Sequence, residues 1–331
     1  MFLANPILVE ITRGALVESI HRGSIAIADA EGAIRFAMGD VESPVYPRSA
    51  LKPIQALTLI ESGAAEAFAL SDEEVALACA SHSGEPMHTE RVAAWLARIG
   101  CSESDLACGP QAPRYEPASE DMVRRGDKPT RIHNNCSGKH TGFLTVARHW
   151  NVATTGYEHV DHPVQQAVVT SLRELSGVGE LPWGVDGCAA PNFALPLGGF
   201  ARALAKLAGG RTPGAARIVR CMTAYPELVG GTGRACTVLM RAAGGRAAVK
   251  IGAEGVYAAM VPERGLGIAL KIDDGAVRAA ETVIAALLDK LGLVGDGVRA
   301  FLHAPVLNTR GAAVGERRQA PALSRAELAG L

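Results

Sequence analysis

Apolar and polar residues alternate with a period of two in two widely separated parts of the chain, residues 7–39 and 246–272. Between them, from Ser49 to about residue 225, the apolar residues recur at helical spacing instead. The first pattern marks half-buried strands and the second amphipathic helices. Strands near both ends of a chain need partners, and the simplest packing joins the two groups in one mainly antiparallel sheet of about five strands. The predicted class is therefore α/β of the α+β kind, with helices flanking the sheet and a helical lobe beside it. We read residues 1–331 as a single domain: a sheet from 7–40 and 245–275, a helix over 276–292 and a lobe over about 49–225.

Local signals sharpen this outline. The turn Asp29-Ala30-Glu31-Gly32 between two alternating runs predicts a hairpin. Ser71, followed by Asp72, Glu73 and Glu74, predicts a capped helix start. Residues 102–132 are polar and proline-punctuated and read as a long loop, the kind that often carries function. Residues 309–331 read as a loosely attached extension.

Bulk properties narrow the function classes. Hydrophobic residues make up 48% and charged residues 20%, which a globular core requires. The net charge of -1 gives no basic face, so nucleic acid is not an expected partner. No run reaches the roughly 18 apolar residues of a membrane span, and the N-terminus, with Glu10 inside it, reads as a strand and not as a leader. Seven cysteines, an odd number, read as free thiols in a reducing cytoplasm.

Four clusters carry candidate chemistry. Pro47-Arg48-Ser49-Ala50-Leu51-Lys52-Pro53 opens a helix, where residues three apart share a face and proline is tolerated in the first turn. A lysine can take a seryl proton only as the neutral amine, which burial favours. The chain has seven lysines against a mostly arginine background, and Lys52 and Lys250 both sit in apolar segments; arginine could not serve as a base there. The second cluster, Cys79 to Pro86, offers Ser81, His82 and Ser83. The third, His133 to His140, contains Gly138-Lys139 but fails as a phosphate loop: His133 stands where the first glycine belongs, and His140 where Ser or Thr belongs. The fourth places Asp186 two residues before Cys188. Cys136 and Cys188 could hold a metal together, although no C-x-x-C or H-E-x-x-H spacing is present.

Taken in order, "PRSALKP", "CASHSGE", "NNCSGKH", "VDGCAAP", "YPELVGGTGRACT" and "VKIGAEG" resemble the motifs of the rhizobial-type (class 3) L-asparaginase family, from about residue 12 to 275. The resemblance implies a fold similar to serine β-lactamases, penicillin-binding proteins and serine-dependent glutaminases. It implies hydrolysis of L-asparagine to L-aspartate and ammonia by a homodimer. It implies two pairs, Ser49 with Lys52 and Ser81 with Lys250, and a metal site, usually zinc, at Cys136, Lys139 and Cys188, with Asp186 beside it touching substrate. The expected course is attack by one serine on the side-chain amide, with Ser49 the first choice and the opposite assignment open, followed by hydrolysis of the acyl-enzyme. Arg48 is the candidate for the substrate α-carboxylate and Asp186 for its α-ammonium. A glutaminase or penicillin-recognising hydrolase would share the Ser–Lys chemistry. A metal or thiol sensor built on Cys136 and Cys188 would leave both serines and both lysines idle.

Overall fold

The computed structural model describes residues 4–210, 212–328 and 330–331. By contacts the chain divides into two compact units, Met1–Ala50 with Leu195–Gly209 and Val238–Leu331, and Leu51–Ala194 with Gly210–Thr237.

The first unit is built on an antiparallel sheet of eight strands among the described residues. Its path runs His303–Leu307, Ala313–Gln319, Ile7–Arg13, Leu16–Ala28, Leu266–Ile272, Val256–Val261 and Ala248–Ile251, while Ile34–Met38 joins Leu16–Ala28 off the path. Leu16–Ala28 has 13 residues, enough to pair with Ile7–Arg13 over one half and with Leu266–Ile272 over the other. The hairpin at Asp29 forms as its sequence implies: Asp29 Oδ1 accepts from Ala33 N at 2.9 Å, and Gly32 takes a φ of 91°. Val256–Val261 is buried at every position because helices cover it, so its sequence is a continuous apolar run.

Two expectations change here. The stretch after residue 309 is not a loose extension. Ala313–Gln319 pairs with Ile7–Arg13 from Val9↔Gln319 to Ile11↔Arg317, and His303–Leu307 continues the sheet. These strands raise the count above the five expected; the Glu and two Arg residues of Ala313–Gln319 hide its alternation. The helix Leu197–Ala208, assigned to the lobe from its periodicity, packs on the sheet instead. Gly267 makes this possible: a Cβ there would lie 2.1 Å from Ala205 N, so only glycine lets helix and strand come this close.

The second unit is helical. Lys52–Glu61 is its centre, buried from Lys52 to Ile60 and contacted by Ser137–His149, Pro163–Ser176 and Pro213–Ala224. Its buried residues are mostly apolar, as an interior helix requires, with Lys52, Gln55 and Thr58 as the buried polar exceptions. Asp72–Ala78 starts with a capping box in which Ser71 and Glu74 satisfy each other's backbone amides. The expected loop at 102–132 contains a helix, Glu116–Arg125, opened by Pro117 and closed by Gly126 at a φ of 73°. Its face is polar, with Arg125 on Asp121 four residues back, so hydrophobic periodicity does not reveal it. Among the described residues no helix is long and apolar enough to cross a membrane.

Candidate active site

The helical unit brings Lys52 and Ser81 together. Lys52 is the first residue of its helix and is 1% exposed. Ser81 follows the helix Asp72–Ala78 in a loop that is buried from Ser81 to Glu85. Lys52 Nζ donates to Ala80 O, lies 3.0 Å from Ser81 Oγ and reaches Asn135 O at 3.5 Å. The loop is held on both sides of the serine: Ser81 N donates to Val229 O at 3.0 Å and His82 N to Asn135 O at 3.2 Å.

This arrangement has a chemical consequence. An ammonium has three N–H bonds and would give one to each of the three oxygens. A neutral amine has two N–H bonds and one lone pair. Two carbonyls can only accept, so they take the two N–H bonds and the lone pair is left facing the Ser81 hydroxyl. That is the geometry a general base needs.

Ser49 and Lys250 belong to the sheet unit. Ser49 is half-buried in the turn Arg48–Leu51, where Ala50 N donates to Pro47 O at 3.1 Å. Arg48 sits in that turn at a φ of 53°, an uncommon conformation for a residue with a Cβ. Lys250 is fully buried on the edge strand Ala248–Ile251, and its Nζ donates to Ile251 O at 2.9 Å. Just beyond this strand Gly252 approaches Pro47 so closely that a Cβ would fall 2.4 Å from Pro47 O. The end of the Lys250 strand is thereby set against the turn that carries Ser49. The helical unit thus brings Ser81 and Lys52 into contact, and Ser49 and Lys250 both belong to the sheet unit.

A second group lies at the start of the helix Ser137–His149. Gly138 lets this helix press on Asp72–Ala78: a Cβ would sit 2.4 Å from Leu77 O. The glycine that suggested a phosphate loop therefore serves helix packing. Lys139 Nζ is 3.0 Å from Cys188 Sγ, and both residues are 4% exposed. Cys188 and Asp186 come from the turn between Trp183–Val185 and Pro191–Phe193, with Cys188 Sγ 3.8 Å from Asp186 Oδ2. Its hydrogen bond with Cys136, and then the Lys139 charge, pull the Cys188 thiol down to about 5 against the opposing effect of burial. The same contact with Cys188, together with burial, pushes Cys136 up to about 12. Burial opposes charge on Lys139, but the two thiols outweigh it and raise its pKa. These shifts favour a negative charge on Cys188 and a positive one on Lys139.

Among the described residues no group of three His, Cys, Asp or Glu side chains gathers as a metal cage. A lysine-containing set is a different case. Cys136, Lys139 and Cys188 converge as two sulfur donors and one amine, and this donor set fits a zinc-like ion. Binding would release the protons held by Lys139 and Cys136.

Sequence reasoning missed several supporting groups. Gln111, from the supposed loop, accepts from Asn135 N at 3.0 Å and Asn135 Nδ2 at 2.6 Å, and so fixes the residue whose carbonyl faces Lys52. Asn134 Oδ1 accepts from Cys136 N at 2.9 Å. His140 Nδ1 lies 2.7 Å from Tyr157 Oη. Cys108 is buried near enough to Cys136 for their charges to interact. Asn134, Asn135 and His140 fall within the local cluster around Cys136; Gln111, Cys108 and Tyr157 are distant in sequence.

The model of the L-asparaginase II family matches residues 9–319, which takes in the C-terminal strands. No curated protein matches at a significant level. Among solved structures, a candidate beta-lactamase from Bacteroides dorei DSM 17855 shows 15% identity and a TM-score of 0.42, over 76% of this chain and 84% of that one. A beta-lactamase from Mycobacterium bovis shows 14% identity and 0.41, over 78% and 89%. Mglu in its native form shows 17% identity and 0.39, over 88% and 70%.

Proposed function

The chain belongs to the L-asparaginase II family and is an amidohydrolase, and on that premise we propose that it hydrolyses L-asparagine to L-aspartate and ammonia. The observation that carries the reading is the buried contact of 3.0 Å between Lys52 Nζ and Ser81 Oγ. Neutral Lys52 takes the Ser81 proton as Oγ attacks the side-chain amide carbon. The lysine ammonium then protonates the departing nitrogen, which leaves as ammonia. Water hydrolyses the acyl-serine in a second step, with Lys52 again accepting a proton. Ser49 and Lys250 form the second pair and relay protons. The reverse assignment, with Ser49 attacking and Lys52 as its base, is the second reading; it is favoured by the turn that carries Ser49 leading directly into the helix that Lys52 begins.

Arg48 receives the substrate α-carboxylate and Asp186 its α-ammonium. Cys136, Lys139 and Cys188 would hold zinc, which would supply Lewis acidity when bound. The three side chains themselves order the pocket wall beside Asp186. We further infer a homodimer, and a cytoplasmic location in keeping with seven free cysteines. The test is ammonia release from a panel of asparagine, glutamine and a β-lactam. Preference for asparagine supports the reading. Faster turnover of glutamine would move the chain to the glutaminases, and no turnover of any amide would sink the proposal.

A further inference from the structure

His82 and His88 form a stacked pair, ring centroids 4.9 Å apart and planes within 12°. Both are buried, His82 at 1% exposure and His88 at 0%. Their hydrogen bonds fix both tautomers. Ser137 Oγ donates to Ile132 O at 2.8 Å, so its own proton is committed, and His82 Nε2, 2.9 Å from that oxygen, must be the donor. His82 Nδ1 then accepts from Gly84 N at 3.2 Å. His88 repeats the pattern: Nε2 lies 2.9 Å from Glu227 O, which can only accept, and Nδ1 accepts from Glu85 N at 3.2 Å. Two neutral imidazoles thus take consecutive backbone amides of the loop that begins at Ser81. Burial, above all, holds both below the ordinary imidazole range.

The bonds around His82 close a ring. Its backbone amide and Lys52 Nζ meet on one carbonyl, Asn135 O, at 3.2 and 3.5 Å. Its side chain grips Ser137, two residues further along, and Lys52 returns to Ser81 at 3.0 Å. The distance between Lys52 and Ser81 is therefore set by how firmly the Ser81 loop is joined to residues 132–137.

We propose that His82 is a positioning residue for the Ser81–Lys52 pair: its Nε2–H on Ser137 Oγ joins the serine's loop to the segment whose Asn135 carbonyl orients the lysine. The inference rests on Ser81 and Lys52 taking part in the hydrolysis proposed above. The His82 ring bonds to Ser137 Oγ and Gly84 N and not to Ser81 Oγ or Lys52 Nζ. Loss of the tether lets Ser81 Oγ drift from Lys52, and a displacement of about 1 Å can cost on the order of a hundredfold in rate.

Two variants separate positioning from general damage. His82→Gln keeps a donor near the Nε2 position and can still reach Ser137. His82→Asn keeps an acceptor for Gly84 N but loses Ser137. On asparagine, His82→Asn should lower kcat by roughly 30- to 100-fold with KM within about threefold, while His82→Gln should stay within about fivefold of wild type in both. Equal kcat in all three proteins, or equal losses in the two variants, would overturn the proposal, as would a loss confined to KM. If wild type hydrolyses no amide, the functional reading fails by itself. The positioning claim is then decided by amide hydrogen exchange at Ser81 and His82. Faster exchange in His82→Asn than in His82→Gln supports it, and identical exchange refutes it.

Discussion

Lys52→Met and Ser81→Ala, made singly and together, test whether these two residues act as one unit. Each single change should lower kcat by roughly four to six orders of magnitude; at about 1.4 kcal/mol per decade, the smaller figure is about 5.5 kcal/mol of lost transition-state stabilisation. If the two acted independently, the double mutant would lose at least about 11 kcal/mol, or eight decades. A base without its nucleophile has nothing to activate, so the double mutant should fall close to the worse single mutant, with a coupling energy of about 5 kcal/mol. The fold should survive the lysine change. Ala80 O loses its Lys52 partner at a cost of roughly 1–3 kcal/mol, while Asn135 O keeps its bond from His82 N. Steady-state ammonia release measures the rates, and thermal unfolding followed by circular dichroism checks integrity. Additive losses would refute the pairing read from the 3.0 Å contact. The same cycle between Ser49→Ala and Lys52→Met discriminates the alternative: strong coupling there, and none with Ser81, would make Ser49 the nucleophile.

Freshly purified protein should carry sub- to near-stoichiometric zinc by elemental analysis, lost in Cys136→Ser or Cys188→Ser with activity reduced but not abolished; metal-free wild type would count against the site. Acid should destabilise the fold. His82 and His140 are both buried and held well below their ordinary pKa, above all by burial. The unfolded chain therefore binds protons below about pH 6.5 that the native state refuses, and each such histidine costs about 1.4 kcal/mol per pH unit. Cys188, lowered to about 5, acts in the same sense, because its thiolate contribution is lost as pH falls through that value. Urea unfolding at pH 7.5 and 5.5 should differ by at least about 3 kcal/mol; equal midpoints would contradict the burial of these rings. Gly138→Ala should destabilise by about 1–3 kcal/mol despite the better helix propensity of alanine, because the new Cβ meets Leu77 O at 2.4 Å; an unchanged melting temperature would mean the helices can part freely.

Much of this molecule is legible in short stretches of sequence. Alternation at 7–39 and 246–272 marks the sheet, Asp29 to Gly32 its hairpin, and Ser71 with Glu74 a helix start, because periodicity, turns and caps involve residues a few positions apart. The candidate groups Ser49, Lys52, Ser81 and Lys250, and the set Cys136, Lys139 and Cys188, are equally visible as residue types in order along the chain. What the sequence does not contain is which of them face one another. Helical spacing joins Ser49 to Lys52, yet the hydrogen bond of Lys52 Nζ runs to Ser81, 29 residues away. That contact exists because Gly138 lets one helix lie on another and because His82, Asn135 and Gln111 lock two distant loops together. The helix Leu197–Ala208 reads as part of the lobe and joins the sheet only because Gly267 admits it. The strand Ala313–Gln319 has too many charges to announce itself and is recruited by the open edge of Ile7–Arg13. Local backbone preference is written residue by residue, whereas the meeting of a base with a hydroxyl depends on how closely backbones remote in sequence can approach, and only the packed chain decides that.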